Sequence, residues 1–238
     1  MGLSESGKMM SGTITAMLAN KSTAILGGTL VILSAGSLLV AFGRGPKSNS
    51  VEESQKALHA DVKRVVSGHK IKLDTDNPDD EYLVYSGIRS PYPHEPLYEA
   101  AKKRNAELVE GKRVRLRADD SERDSEGRRS CYVFAGESFV NETLVREGLA
   151  YVRLTPETTR FQNRLLTAQA EARKHARGIW KGISGSKEAS YSGDSKYGTF
   201  HRPSCEDSAK IKPDRWVAIK TRNQAFDAGF APCTKCNP

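Results

Sequence analysis

The chain has 238 residues, 28% charged and 37% hydrophobic, which reads as a mostly soluble, globular protein with room for one ordinary domain plus smaller parts. Its 37 Lys and Arg against 29 Asp and Glu give a formal net charge of +8. That charge favours nucleic acid or an anionic surface as partner, is equally met by a basic solvated face, and says nothing about catalysis. The four cysteines are not paired over a small secreted fold, which excludes a disulfide framework; Cys205, Cys233 and Cys236 cluster near the end and Cys131 stands alone.

Residues 1–22 form a polar tail rich in Ser, Thr and Gly. No charged residue occurs from Thr23 to Phe42. A helix of that length spans roughly 30 Å, the thickness of a bilayer's hydrocarbon core. Segment 23–43 is therefore expected to be a transmembrane anchor, making a single-pass membrane protein. A cleaved signal peptide fits less well, because its apolar core is usually shorter and is followed by a small-residue cleavage site. Lys8 and Lys21 precede the segment, whereas Arg44, Lys47, Lys56, Lys63 and Arg64 follow it. This bias leans towards a cytoplasmic location for the part that follows. Residues 44–60 read as a linker.

Val62–Val66 and Lys70–Leu73 alternate as strands around a Ser67-Gly68 turn. The acidic stretch 74–80 contains Pro78 and reads as a loop, and 81–88 as a third strand. Helical spacing runs from Leu97 to Val109, with Gly111 as its stop. A fourth strand carries Val114, Leu116 and Ala118 on one face and Arg113, Arg115 and Arg117 on the other. The arginines form either a phosphate-tracking stripe or a solvent face. After a polar turn at 119–127 come a fifth strand at 130–135, a helix at 139–147 ending at Gly148, and a longer helix at 160–176 closed by Gly178-Ile179-Trp180.

Five strands, with a helix after the third and helices after the fifth, predict a mainly β fold with α elements (α+β). Residues 61–182 are expected to form a five-stranded barrel of the OB type. Residues 183–196 read as a flexible Ser- and Gly-rich linker. Residues 197–238 are too few for a stable apolar core, so a metal or docking to the barrel is expected to support them.

The order and spacing from Asp61 to Gly182 resemble the staphylococcal-nuclease (thermonuclease) family. The first motif is matched by Ser67-Gly68-His69-Lys70-Ile71-Lys72-Leu73 and by Val84 through Tyr92. The second is matched by Asp124-Ser125-Glu126-Gly127-Arg128, the strand after it, and the run Phe139 to Ala150 with the closing Gly-Ile-Trp. The resemblance implies a barrel that binds nucleic acid and hydrolyses phosphodiesters with Ca²⁺. The family's two calcium-holding aspartates fall on His69 and Arg89, its first transition-state arginine on Val84, and its water-activating glutamate on Tyr92. Ser90 keeps a hydroxyl, and Arg128 alone keeps its catalytic identity. Calcium prefers oxygen ligands, so it is not expected here. An alternative is a relocated metal site using His69, His94 and Glu95.

The spacing His201-x3-Cys205 and Cys233-x2-Cys236 brings two close ligand pairs of the kind a tetrahedral Zn²⁺ site needs; two free pairs or a Cys233–Cys236 disulfide are the competing readings. Residues 197–238 resemble the small zinc-binding module first known from the Ada DNA-repair protein, with His201 in place of the first cysteine. Its Lys210, Lys212, Arg215, Lys220 and Arg222 offer DNA contacts, and a structural knob or protein-docking role is an equal alternative. Three functions follow: a membrane-tethered, catalytically degenerate nuclease-fold protein that binds nucleic acid through Arg113, Arg115, Arg117 and Arg128; an active nuclease with a relocated metal; or a non-enzymatic adaptor with a protein partner.

Overall fold

The computed structural model describes residues 58–238 apart from Thr159, Ser184, Ser186 and Lys187. The expected tail, anchor and most of the first linker lie outside the described residues. Among the described residues, no helix is long and apolar enough to cross a membrane.

The barrel begins with β1 (Leu58–Ser67), a strand long enough to serve two neighbours. Its first half pairs antiparallel with β5 (Arg113–Arg117) and its second half with β2 (Lys70–Leu73). Irregularities between Val62 and Arg64 and between Val65 and Ser67 bend it from one partner to the other, as bulges do in small barrels. Next come β3 (Tyr82–Tyr85), β6 (Ser130–Ala135) and the two-residue β7 (Ser138–Phe139). The strand order is β3-β2-β1-β5-β6-β7, and a parallel β3–β6 pairing closes five strands into a barrel. On β5, Val114 and Leu116 are buried while Arg113 is exposed and Arg115 and Arg117 are half-buried, as the alternation predicts.

The strand expected over 81–88 breaks at Ser86-Gly87. Gly87 takes φ 75°, a left-handed conformation that favours glycine. The chain turns there and continues as β4 (Ile88–Arg89), which pairs with β8 (Tyr151–Val152) rather than with the barrel. Helix α1 (Tyr98–Val109) follows Leu97, itself left-handed, and stops before Gly111. Helices α2 (Val140–Arg146) and α3 (Gln162–Lys174) contribute Val140, Leu144, Val145, Leu165 and Ala168 to the barrel core.

Buried amides fasten these elements. Asn105 of α1 accepts from Tyr85 Oη at 2.8 Å and donates to Ser67 O at 2.9 Å. Asn141 of α2 accepts from Val133 N at 3.0 Å and donates to Ser86 O at 2.8 Å.

Inside the stretch expected as a linker, Tyr191–Asp194 forms β9. With β10 (Thr199–His201), β11 (Trp216–Ile219) and β12 (Ala231–Pro232) it makes a second sheet, ordered β11-β9-β10-β12. Helix α4 (Arg222–Asp227) is capped by the Thr221 hydroxyl, which accepts from Gln224 N. Docking to the barrel supplies the core that this segment lacks. One apolar cluster joins Tyr151, Ala172 and Trp180 to Tyr191, Phe200, Ile219 and Phe226. Trp180 and Phe226 meet edge to face, with centroids 4.8 Å apart. Gln169 of α3 bridges the parts, accepting from Val152 N and donating to Phe226 O, both at 2.7 Å.

Candidate nucleic-acid interface and metal cluster

Three of the family-motif positions, His69, Val84 and Arg128, line one small cavity of about 30 Å³ beside the barrel, while Arg89 and Tyr92 line a neighbouring cleft. The cavity's lining also includes Asp124, Arg153 and Thr158. His69 sits in the turn between β1 and β2 and is buried. Its Nδ1 lies 2.7 Å from Ser90 Oγ and accepts from Ser90 N at 3.2 Å. With Nδ1 accepting, the neutral ring carries its proton on Nε2. Burial, then the nearby Arg89, Arg153, Arg128 and Lys70 charges, lower its pKa from 6.5 to about 3. The imidazole is therefore uncharged at neutral pH.

Arg89 is only 2% exposed. Its Nη1 lies 2.5 Å from Glu95 Oε2, and its Nη2 donates to Pro232 O at 3.2 Å. The guanidinium also sits over the Tyr151 ring, 4.8 Å from its centroid. Tyr92 lies in the same patch, its backbone N donating to Glu95 at 2.7 Å and its ring stacked with that of His94. Val84 supplies an apolar side chain where the family motif carries a cation.

Arg128 keeps its place at the cavity. Asp124 and Glu126 hold it at 2.7 and 2.6 Å. Arg153, which the sequence reading missed, also lines the cavity; it pairs with Glu126 at 2.8 Å and donates through Nε to Tyr197 O at 2.8 Å. It follows directly on the two-residue β8, too short a strand to leave a periodic signal. Among the described residues, Asp124 is the one carboxylate lining the cavity, and it is ion-paired with Arg128.

The arginine stripe is elsewhere. Arg113, Arg115 and Arg117 do not line this cavity. Arg113 pairs with Asp61 at 3.2 Å and Arg115 lies over Phe134, 4.4 Å from its centroid. They extend one strand face, as alternation predicted, without joining Arg128.

The second feature is the C-terminal ligand set. His201 Nδ1 or Nε2 and the Sγ atoms of Cys205, Cys233 and Cys236 all lie within 4.8 Å of one another. His201 ends β10, Cys205 follows in the next turn, and Cys233 directly follows β12, which pairs parallel with β10. All four cysteines are free thiols, so the disulfide alternative does not hold. Burial pushes the Cys236 thiol up to about 12, with the Cys205 and Cys233 sulfurs acting in the same direction. Three thiols and an imidazole so arranged suit a tetrahedral, thiolate-preferring dication. This is the only group of three or more His, Cys, Asp or Glu among the described residues that could share an ion. The relocated site of His69, His94 and Glu95 does not form, because Glu95 is committed to Arg89 and His69 to Ser90.

A cleft of about 250 Å³ lies between the two features, with Arg89, His94 and Arg153 on one side and Thr199, His201 and Cys233 on the other. Among the module's cations, Lys210 pairs with Asp207 and Arg215 with Asp194, while Lys212 and Lys220 are exposed.

Comparison with known proteins agrees with this architecture. The family model described as "Staphylococcal nuclease homologue" matches residues 76–182. The chain is 32% identical over 126 residues to a thermonuclease of Staphylococcus intermedius, covering 50% of this chain and 74% of that protein. It is 30% identical over 139 residues to a thermonuclease of Staphylococcus hyicus, covering 56% of this chain and 79% of that protein. It is 30% identical over 136 residues to the endonuclease YncB of Bacillus subtilis (strain 168), covering 54% and 64% respectively. The closed five-strand barrel and these matches together establish that the chain belongs to the staphylococcal nuclease family.

Proposed function

We propose that this protein binds nucleic acid on a nuclease-fold barrel and does not hydrolyse it by the calcium route. The observation that carries the reading is the chemistry at the two positions where the family resemblance places aspartates. One holds a buried, uncharged imidazole bonded to Ser90, and the other a buried guanidinium bonded to Glu95. Calcium takes six to eight oxygen ligands. The donor set here does not fit it: a nitrogen acceptor already engaged, a cation, and one carboxylate that is itself ion-paired. Phosphodiester hydrolysis needs a positioned water and cations on the developing charge, and each lost contribution costs ~10²–10⁴ in rate. With the metal ligands, Val84 and Tyr92 all changed, little of that chemistry remains.

Nucleic-acid binding is supported by the net charge of +8, by the family relation and by Arg128 and Arg153 at the cavity. The charge-free stretch 23–42 supports a membrane anchor, with the barrel on the cytoplasmic side. His201, Cys205, Cys233 and Cys236 support a structural Zn²⁺ site, closed because all four positions come from protein.

One experiment tests the reading: the full chain in detergent is titrated against single- and double-stranded DNA and RNA at low salt, and cleavage is assayed with Ca²⁺ and with chelator. Retardation that weakens with salt, without calcium-dependent cleavage, is expected; Arg128→Ala should lower the salt dependence by about one ion. Calcium-dependent cutting abolished by Arg128→Ala would refute the degenerate site. A protein-docking adaptor is the second reading, favoured by the carboxylates that already hold Arg128 and Arg153. Absence of any retardation at low salt would select it.

A further inference from the structure

The four metal-ligand positions hang on two strands whose positions are fixed from the barrel. The peptide unit joining Pro232 to Cys233 is held at both ends. Its carbonyl accepts from Arg89 at 3.2 Å, and its N–H donates to Phe200 O at 2.9 Å. A peptide is planar, so these two bonds set the direction in which Cys233 leaves the backbone. Arg153 Nε donates to Tyr197 O at 2.8 Å, in the turn that enters β10 and delivers His201. Leu154 N donates to Gly229 O at 2.8 Å, in the turn that enters β12 and delivers Cys233. Both turns come so close that only glycine fits: an added Cβ would lie 2.2 Å from Leu154 O at Gly198 and 2.6 Å from Leu154 Cδ1 at Gly229. Arg89 lies on β4 and Arg153 directly follows its partner β8.

From these contacts we propose that the metal site is composite: the module supplies the four ligands, and Arg89, Arg153 and Leu154 of the barrel are positioning residues that set its affinity for a thiolate-preferring divalent cation. The proposal rests on the metal reading of the cluster. Groups that orient ligands typically change metal affinity by about 10–100-fold when removed. Linkage is reciprocal, so the bound cation tightens the barrel–module contact by the same free energy.

Co²⁺ serves as probe, because its thiolate complexes absorb in the near ultraviolet and visible. The full chain is titrated with Co²⁺, and in parallel the double variant Arg89→Met, Glu95→Gln, which removes the strut without leaving a buried carboxylate unpaired. Arg113→Met, on the far strand face, is the control. At least tenfold weaker Co²⁺ binding in the double variant, with the control unchanged, is expected; equal affinity in a folded double variant overturns the proposal. Hydrogen exchange on the unaltered chain gives a readout that no substitution disturbs. The Leu154 amide should exchange faster after chelation, and an unchanged rate beside a bound-metal spectrum overturns the proposal while leaving the metal reading intact. No Co²⁺ spectrum at all overturns both.

Discussion

His69 sits where four cations face it, and its imidazole remains neutral because burial and those charges both disfavour protonation. Since the folded pKa lies below the ordinary value of 6.5, the unfolded chain takes up the proton more readily. The stability linked to this group is therefore complete above about pH 6.5 and is lost as pH falls towards about 3. Urea midpoints measured across that window should decline in the natural chain, and the His69→Gln variant should flatten the decline. At the neighbouring Gly68, an added Cβ would stand 2.6 Å from Ser90 Cβ and 2.7 Å from Ala101 Cβ. Gly68→Ala should accordingly cost about 1–3 kcal/mol by overpacking, read from the denaturation midpoint. That His69 and Arg89 fall where the family resemblance places aspartates was legible from the motif frame alone. What those side chains do was not, because Glu95 and Pro232 reach Arg89 through the fold; Pro232 lies 143 positions away.

At the scale of elements, the barrel strands over 62–66 and 70–73 emerged from alternation because they bury one face against a shared core, whereas 130–135 is buried on both faces and reads as a short apolar run. The β4–β8 pair did not emerge. Two-residue strands carry no period, and Gly87 interrupts what reads as one continuous strand. Yet that pair carries Arg89 and leads into Arg153, so the short elements with no pattern are the ones that shape the site. Gln169 is the polar counterpart on α3, tying β8 to α4. Gln169→Leu keeps the bulk but leaves the Val152 N–H and the Phe226 carbonyl without partners. It should destabilise by about 1–3 kcal/mol for each, measured by denaturant unfolding, although leucine would look acceptable in a helix interior.

For the described part of the molecule as a whole, the apolar cluster shared by Trp180, Tyr151, Phe200 and Phe226 predicts cooperative unfolding of barrel and module. Calorimetry of the metal-loaded chain should show one transition for this part. Ending the chain after Gly182 exposes Tyr151 and Trp180. That loss, on the order of 3 kcal/mol from aromatic burial, should lower the barrel's Tm by roughly 6–12 °C. The ligand spacing in the last 42 residues was visible in the sequence; the shared core was not, because single aromatics scattered over 151–226 announce no common partner.

An acid at position 89 would be costly. Introducing an aspartate there would set its carboxyl group beside Glu95 in a nearly dry spot and strip the Pro232 carbonyl of its donor. Two acids would then repel where an ion pair now sits, and the turn bearing Cys233 would come loose. The arginine that stands where the family resemblance places an aspartate is thereby also a fastening for the domain beside it, so no acid can be set there without loosening the strand that leads into Cys233.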